Sequence, residues 1–597
     1  MITDRTPLET LERVFGYKSF RHPQQEIIGG LIEGNDAFVL MPTGGGKSLC
    51  YQIPALHRRG VGIVVSPLIS LMKDQVDALR ANGVRAVAYN SALSQSESRE
   101  VLTALTSGKL ELLYVAPERL MQGGFLQKLD YVDIALFAID EAHCISHWGH
   151  DFRPEYVTLG KLRERFPKVP LIALTATAEP RTRIDIVERL NLSEAREYIS
   201  SFDRPNIRYS VIQKSNPAEQ LAKYVRAGKG LAGIVYCGTR KRVEDVAGML
   251  RQAGISAEAY HAGMPDRDRK NVQERFLRED VDVIVATVAF GMGIDKPNVR
   301  FVVHYDVPKH IEGYYQETGR AGRDGLPSDA ILLFSLSDYM TAKRLIETGE
   351  NRDRNAIEIK KLEAMKRFAE SFSCRRKQLL AYFGEEHSGD CGNCDTCLDP
   401  RESTDATEDV KAVLMCIYES NQRYGTRLIV DILMGADTER IRSADLGSLP
   451  SYGKGGDHDS YYWDAVINQL LELGYIRKED DKYPILKLTP LTKDVLREDK
   501  TVSLVRPAAP GSKKRRKKAV SVATPVDRAL FEKLRALRKH IADEDGVPPY
   551  VVFGDATLIE MAARKPTDRS TLGAISGVGI HKLQKYGERF LAAISQE

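Results

Sequence analysis

The sequence predicts a multidomain α/β chain, and three observations carry that reading. Its 597 residues exceed the roughly 150 of an average domain about fourfold, enough for several separate cores. Short runs that are apolar on both faces alternate with helical patterns through two successive stretches, as strands of parallel sheets covered by helices do. Between the first such run, Asp36-Ala-Phe-Val-Leu, and the helix-like LCYQIPAL lies a glycine turn, Met41 to Ser48 (MPTGGGKS). A glycine turn from a buried strand into a helix start aims backbone N–H groups and the helix dipole at one point, and that point binds phosphate.

Composition narrows the classes. Charged residues make up 28% of the chain and the formal net charge is only +4, so overall charge selects no partner and local clusters must. Eight cysteines in so long a chain are not a disulfide scaffold; three crowd into CGNCDTC, which suits metal ligation in a reducing compartment. The start, MITDRTPLETLERVFGY, lacks the apolar core of a signal peptide, and no run approaches the length of a membrane span. A cytoplasmic protein without membrane association is the expectation.

In chain order, FGYKSFRHPQQEII places Gln24 ahead of a helix that runs toward the glycine turn. A glutamine amide both donates and accepts, as an adenine edge requires, although a surface glutamine reads the same. In the turn, Gly44, Gly45 and Gly46 let the backbone approach an anion, Lys47 can reach the β- and γ-phosphates, and the Ser48 hydroxyl can sit on Mg²⁺. The strict pattern wants glycine where this chain has Met41. VGIVVSP, VRAVAYN, LELLYVAP, IALFAIDEAH and PLIALTAT follow as buried strands. Asp140 and Glu141 close one of them, the first placed to hold Mg²⁺ and the second to orient and deprotonate an attacking water. Next, CISHWGHDFRPEY interleaves Trp148, Phe152 and Tyr156 with His147, His150, Asp151 and Arg153. Such a loop can feel a stacked base and report it to the nucleotide site.

Near Phe202-Asp203-Arg204-Pro205-Asn206 the chain crosses into a second unit, where AGIVYC, AEAYHAG, DVIVAT, RFVVHYD and AILLF read as buried strands without a second phosphate loop. The unit ends in GYYQETGRAGRDG, which sets Gln316, Arg320 and Arg323 on one short stretch. An arginine supplied across a cleft can stabilise charge on a transferring phosphoryl group.

FRHPQ, TGGGKS, SPLISLMKDQ, DEAHCISHWGHDFRP, LTATA, VATVAFGMGIDKPNVR and QETGRAGRDG occur in the order and spacing of the RecQ family of superfamily-two DNA helicases, which this chain resembles. The resemblance removes the objection at Met41, because that superfamily's phosphate loop needs no leading glycine. It implies two RecA-like lobes that clamp ATP, 3′ to 5′ translocation on single-stranded DNA, and unwinding of duplex in repair, recombination and fork processing. Position by position it implies ATP contacts from Gln24, Thr43, Gly44, Gly45, Gly46, Lys47 and Ser48, with Mg²⁺ on Ser48 and Asp140. Lys47, Asp140, Glu141, Arg320 and Arg323 become the catalytic set, with Arg323 as the finger. His147, Trp148, Phe152 and Arg153 would couple the site to DNA. The family commonly carries glutamine where this chain has His147. The implied partners are single-stranded and duplex DNA and a single-stranded DNA-binding protein, and the implied state is a monomer.

A charged helical segment, roughly 340–373, leads into SCRRKQLLAYFGEEHSGDCGNCDTCLDP. Cys391, Cys394 and Cys397 can ligate one ion, but a closed structural zinc site needs four ligands. By spacing both Cys374 and His387 qualify; the resemblance favours Cys374, giving Zn²⁺ on four cysteines. Over 405–500 the order helix, glycine turn, helix and short strands suits a winged helix. RPAAPGSKKRRKKAVSVATP then has the composition of a flexible linker spanning about 25 Å, and its basic run Lys513 to Lys518 could touch phosphates. The remainder resembles the HRDC module (helicase and RNase D C-terminal), an auxiliary nucleic-acid binder, with Tyr550 as a base-stacking candidate. The expected division is 1–205 and 206–340 for the lobes, 341–404 for the zinc module, 405–500 for the winged helix, 501–521 for the linker and 522–597 for HRDC.

Overall fold

A computed structural model of the chain describes residues 5–122, 124–146, 153–290, 296–349, 352–400, 402–479, 485–497, 500–505 and 527–595. The chain forms two compact units, one of residues 1–361, 379–387 and 520–597, the other of 362–378 and 388–519.

In the first unit the two sets of apolar runs become two sheets. Strands β1 (Ala37–Leu40), β2 (Val61–Val65), β3 (Ala86–Tyr89), β4 (Leu112–Val115), β5 (Ile134–Ile139), β6 (Leu171–Thr175) and β7 (Arg196–Ile199) lie in the order β3-β4-β2-β5-β6-β1-β7. Every neighbouring pair is parallel. Strands β8 (Ile207–Gln213), β9 (Gly233–Tyr236), β10 (Ala257–Tyr260), β11 (Val283–Ala286), β12 (Phe301–His304) and β13 (Ser328–Phe334) form the second, in the order β10-β11-β9-β12-β13-β8, again all parallel. Strands β1, β2, β4 and β6 are buried along their whole length, which is why they read as unbroken apolar runs. With β6 between β1 and β5, the loops leaving the carboxyl ends of these three strands stand side by side, where ligands bind in open α/β sheets. Three helices frame that edge: α1 (Gln24–Glu33), α2 (Leu49–His57) and α3 (Ile311–Thr318).

The second unit holds α4 (Thr407–Glu419), α5 (Thr426–Leu433) and α6 (Ser460–Glu472). They close on a core that includes Ile429, Ile467 and the fully buried Trp463, whose indole N–H donates to the Gly455 carbonyl at 2.8 Å. Strand β14 (Ser403–Asp405) pairs with β17 (Ser503–Val505), and β15 (Ile476–Glu479) with β16 (Ile485–Leu488), both antiparallel. Three helices followed by the β15/β16 hairpin are the winged-helix order expected from the sequence.

The C-terminal helices α7 (Arg528–Asp545) and α8 (Ile580–Ser595) enclose their own core around Leu534, Phe553 and Phe590. They belong to the same compact unit as the two sheets. Among the described residues no helix is long and apolar enough to cross a membrane.

Candidate active site

The phosphate loop owes its shape to two glycines with positive φ, Gly44 at +82° and Gly46 at +83°. At Gly46 a Cβ would also stand 2.4 Å from the Gln24 amide nitrogen, so glycine is required there twice over. Side chains hold the loop's carbonyls one after another. Lys47 Nζ donates to the carbonyls of Met41 (2.9 Å) and Pro42 (3.2 Å), Arg204 to that of Thr43 (2.6 Å), and Arg21 to that of Gly44 (2.8 Å). The Gln24 amide donates to the carbonyls of Gly45 (3.3 Å) and Gly46 (3.0 Å). An arriving anion therefore meets the N–H groups of the loop and the positive end of α2.

The acidic pair leaves β5 beside this loop. Asp140 accepts from the Glu141 backbone N–H at 3.0 Å, and its carbonyl accepts from the Tyr156 hydroxyl at 3.0 Å. Glu141 itself is left-handed, with φ 49° and ψ 44°, a conformation that costs a non-glycine residue about 1–2 kcal/mol and that collects at functional sites. His143 lies behind the pair, 3.3 Å from Glu141 Oε2 and 2.9 Å from the Thr175 hydroxyl. Burial, then Arg153 and Lys47, push its pKa down to about 3, so the approach to Glu141 is no ion pair. Burial likewise lowers the pKa of Lys47, against the pull of Glu141 and Asp140.

The second sheet supplies the opposite wall. Gln316 on α3 donates to the Thr177 hydroxyl at 2.8 Å, tying α3 to the turn after β6. Arg320 and Arg323 follow α3 and line one cleft with Gln24, Lys47, Ser48, Asp140 and Glu141, a cavity of about 420 Å³. Arg320 is 8% exposed and, among the described residues, its Nε is buried without a hydrogen-bond partner, as is Glu141 Oε2. Three cations and two carboxylates around a glycine turn fit a magnesium-bound triphosphate. Sequence reasoning singled out all seven of these residues. It gave no role to Thr175, Thr177 or His143, which link the acidic pair and α3 through the end of β6; the run LTATA was the signal for the two threonines, and His143 stood in the run that carries Asp140 and Glu141.

Of the residues expected to couple this site to DNA, His147, Trp148 and Phe152 lie outside the described residues. Arg153 is described: it donates to the Pro67 carbonyl at 3.0 Å, and its backbone N–H to that of Cys144 at 2.9 Å. Tyr550 is half-buried against the core of the second sheet, its ring 6.0 Å from Lys296 Nζ. The contact is part of a charged seam. Arg538, fully buried, donates to Asp555 (2.7 Å), the Phe553 carbonyl (3.0 Å) and Glu279 (3.1 Å), and Gly577 N–H donates to the Gly16 carbonyl at 3.0 Å. Burial pushes the Glu279 pKa up, but Lys296, Arg538 and Arg535 outweigh it and hold the carboxyl at about 2, below its ordinary 4.5. A depressed carboxyl contributes stability above its unfolded pKa and loses it as pH falls through the folded one, so this contribution is complete above about 4.5 and fades toward pH 2. Arg538→Ala would strand Asp555 and weaken Glu279's setting; an expected cost of about 3 kcal/mol should appear as faster amide exchange across 527–595. Unchanged exchange there would contradict it.

In the second unit the sulfur ligands gather. The Sγ atoms of Cys374, Cys391, Cys394 and Cys397 all lie within 4.8 Å of one another, with 3.3 Å between Cys394 and Cys397 and 4.0 Å between Cys394 and Cys374. Zinc–sulfur bonds of about 2.3 Å in a tetrahedron give sulfur–sulfur edges of about 3.8 Å, so the set fits zinc. Arg375 Nε donates to Asp395 at 2.9 Å and its Nη1 to the Phe368 carbonyl at 2.6 Å. This pins the neighbours of two ligands, as outer partners of metal sites do.

Comparison with known proteins places this geometry. Residues 21–186 match the DEAD/DEAH box helicase family and 216–325 the helicase conserved C-terminal domain. Residues 336–398 match RecQ zinc-binding, 400–513 the RQC domain and 527–594 the HRDC domain. The ATP-dependent DNA helicase RecQ of Pasteurella multocida is 47% identical over 99% of this chain and 94% of its own length. That of Haemophilus influenzae is 47% identical over 100% and 97%, and that of Bacillus subtilis 41% over 98% and 97%. With its phosphate loop, acidic pair, arginine turn and cysteine cluster all present, and relatives matching end to end, the chain belongs to the RecQ family of helicases.

Proposed function

We infer that this chain is an ATP-dependent DNA helicase. The observation that carries the reading is the single cleft in which Lys47, Asp140 and Glu141 of the first sheet meet Arg320 and Arg323 of the second. Glu141 takes the proton of a water that attacks the γ-phosphorus, the bond to the β-phosphate oxygen breaks, and ADP and phosphate leave. Lys47 and the arginines stabilise the charge that spreads over the transferring oxygens. Magnesium, held by Ser48 and Asp140, would neutralise β- and γ-oxygens; zinc on the four cysteines would serve structure alone.

Because the walls of the cleft come from two sheets, nucleotide draws them together and its hydrolysis lets them part, which turns chemistry into steps along a strand. Opening one pair costs about 1.4 kcal/mol, well within reach of such a cycle. The lobes are 1–205 and 206–340, followed by zinc module, winged helix, linker and HRDC at the boundaries expected above. The protein works in the cytoplasm as a monomer, 3′ to 5′ on single strands, with a single-stranded DNA-binding protein as partner. Support for direction, partner and state is family membership. A strand-displacement assay on duplexes with 3′ or 5′ tails, with and without ATP and with RNA forks alongside, tests the reading. Displacement of the 3′-tailed DNA duplex with ATP is expected; displacement from the 5′ tail alone would overturn the polarity, and none from any substrate the activity.

A further inference from the structure

The junction between the two sheets carries Phe202-Asp203-Arg204-Pro205-Asn206, and the Arg204 contact with the Thr43 carbonyl is only one of several that it makes. Arg204 is 8% exposed, and its guanidinium is spread over four backbone carbonyls. Nη1 donates to Thr43 (2.6 Å) and Gly319 (3.1 Å), Nη2 to Ala321 (3.0 Å) and Gly322 (3.0 Å). Thr43 belongs to the phosphate loop; the other three carbonyls are those of the turn that bears Arg320 and Arg323. The residues on either side of Arg204 are fastened to the arginine turn and to α3. Asn206 Nδ2 donates to Gly322 (2.9 Å) and Leu326 (3.0 Å), and the Phe202 carbonyl accepts from Tyr315 at 2.7 Å. The Phe202 ring is stacked on Phe383, with centroids 4.5 Å apart. The backbone of Arg204 is thus fixed to the arginine side, and Nη1 reaches across to the phosphate loop. The two backbones are close: a Cβ on Gly44 would stand 3.4 Å from Arg323 Cα.

We propose that Arg204 is a positioning residue that couples the phosphate loop to the arginine turn, so that the pose of Thr43 and the aim of Arg320 and Arg323 are set together. A planar fork with donors on two nitrogens can bridge carbonyls from both sides at once; a lysine ammonium, a point charge on a flexible stem, cannot hold the same four. Burial lowers the pKa of Arg204, yet a guanidinium stays charged and keeps all its donors. Any shift of the loop that moves the Thr43 carbonyl must either break this bond or move the guanidinium against the turn. The bond therefore carries a change at the phosphates to the arginines.

This inference rests on the reading of Arg323 as a cleft arginine, and the experiment separates the two. In the full-length protein, Arg204→Lys is expected to lower DNA-stimulated kcat about tenfold with ADP affinity by calorimetry within about threefold of the parent. Combined with Arg323→Ala, it should add less than about twofold to the loss caused by Arg323→Ala alone, because residues acting as one unit are not additive. Arg204→Gln, which keeps one donor nitrogen in place of the fork, serves as a second variant should the lysine variant fail to fold, and is expected to show the same pattern. Parent-like kcat in Arg204→Lys, a matching loss of ADP affinity, or losses that multiply in the double variant would each overturn the coupling. Arg323→Ala with undiminished turnover would refute the finger assignment by itself, and the coupling with it.

Discussion

Glu141→Gln is expected to slow DNA-stimulated ATP hydrolysis about 10³-fold while ATP still binds, since a general base contributes about 10²–10⁴. Glutamine has the shape of glutamate, so it can occupy the same left-handed backbone position (φ 49°) and fill the same space; what is lost is the proton acceptor. The neighbours cannot replace it. His143 is held neutral with a pKa of about 3, too weak a base to take a proton from water, and it is already engaged with the Thr175 hydroxyl. Asp140 accepts from the Glu141 backbone and is the residue proposed to hold magnesium. Phosphate binding, by contrast, is assigned to Lys47 and the loop, whose carbonyl contacts do not involve Glu141. Single-turnover hydrolysis with radiolabelled ATP, paired with filter binding, separates the two steps. Turnover above a tenth of the parent's would remove Glu141 from the role of base.

What the sequence made legible, and what it hid, divides along a physical line. Parallel sheets buried on both faces leave continuous apolar runs, so every strand from β1 to β6 could be read, and a glycine turn between strand and helix announces an anion site because few other residues tolerate its dihedral angles. β7 was missed: three of its four residues are exposed, as at a sheet edge, and leave no run. Arg204 was visible as a letter but not as a function. Its partners are backbone carbonyls, and a carbonyl has the same chemistry whatever residue carries it, so no pattern of side chains marks the contact. Thr175 and Thr177 were hidden for a related reason, since a hydroxyl that joins His143 or Gln316 looks like any polar residue at a strand end. The docking of the C-terminal helices was equally silent. Arg538 reads as one more charge on an amphipathic helix, and only the fold shows it fully buried between Glu279 and Asp555.

Cys394→Ala is expected to lose its metal and much of the stability of the segment around it. Among residues 388–400 only Cys394 is buried, so no apolar core holds this stretch, and small segments without a core need another source of folding energy. Cys394 is central to the cluster: its sulfur lies 3.3 Å from Cys397, 4.0 Å from Cys374 and 3.1 Å from the Thr396 hydroxyl. Four thiolates around zinc supply binding energy on the order of 10 kcal/mol that is also folding energy, and three leave a buried gap where the fourth bond was. The outer clamp of Arg375 on Asp395 cannot compensate, because it orients ligands and does not replace one. Metal content by atomic spectroscopy should fall from one zinc per chain to a small fraction, and the melting temperature of the parent should fall on chelation to that of the variant, which chelator should no longer move. A variant that retains zinc and melts with the parent would show that Cys394 is not a ligand.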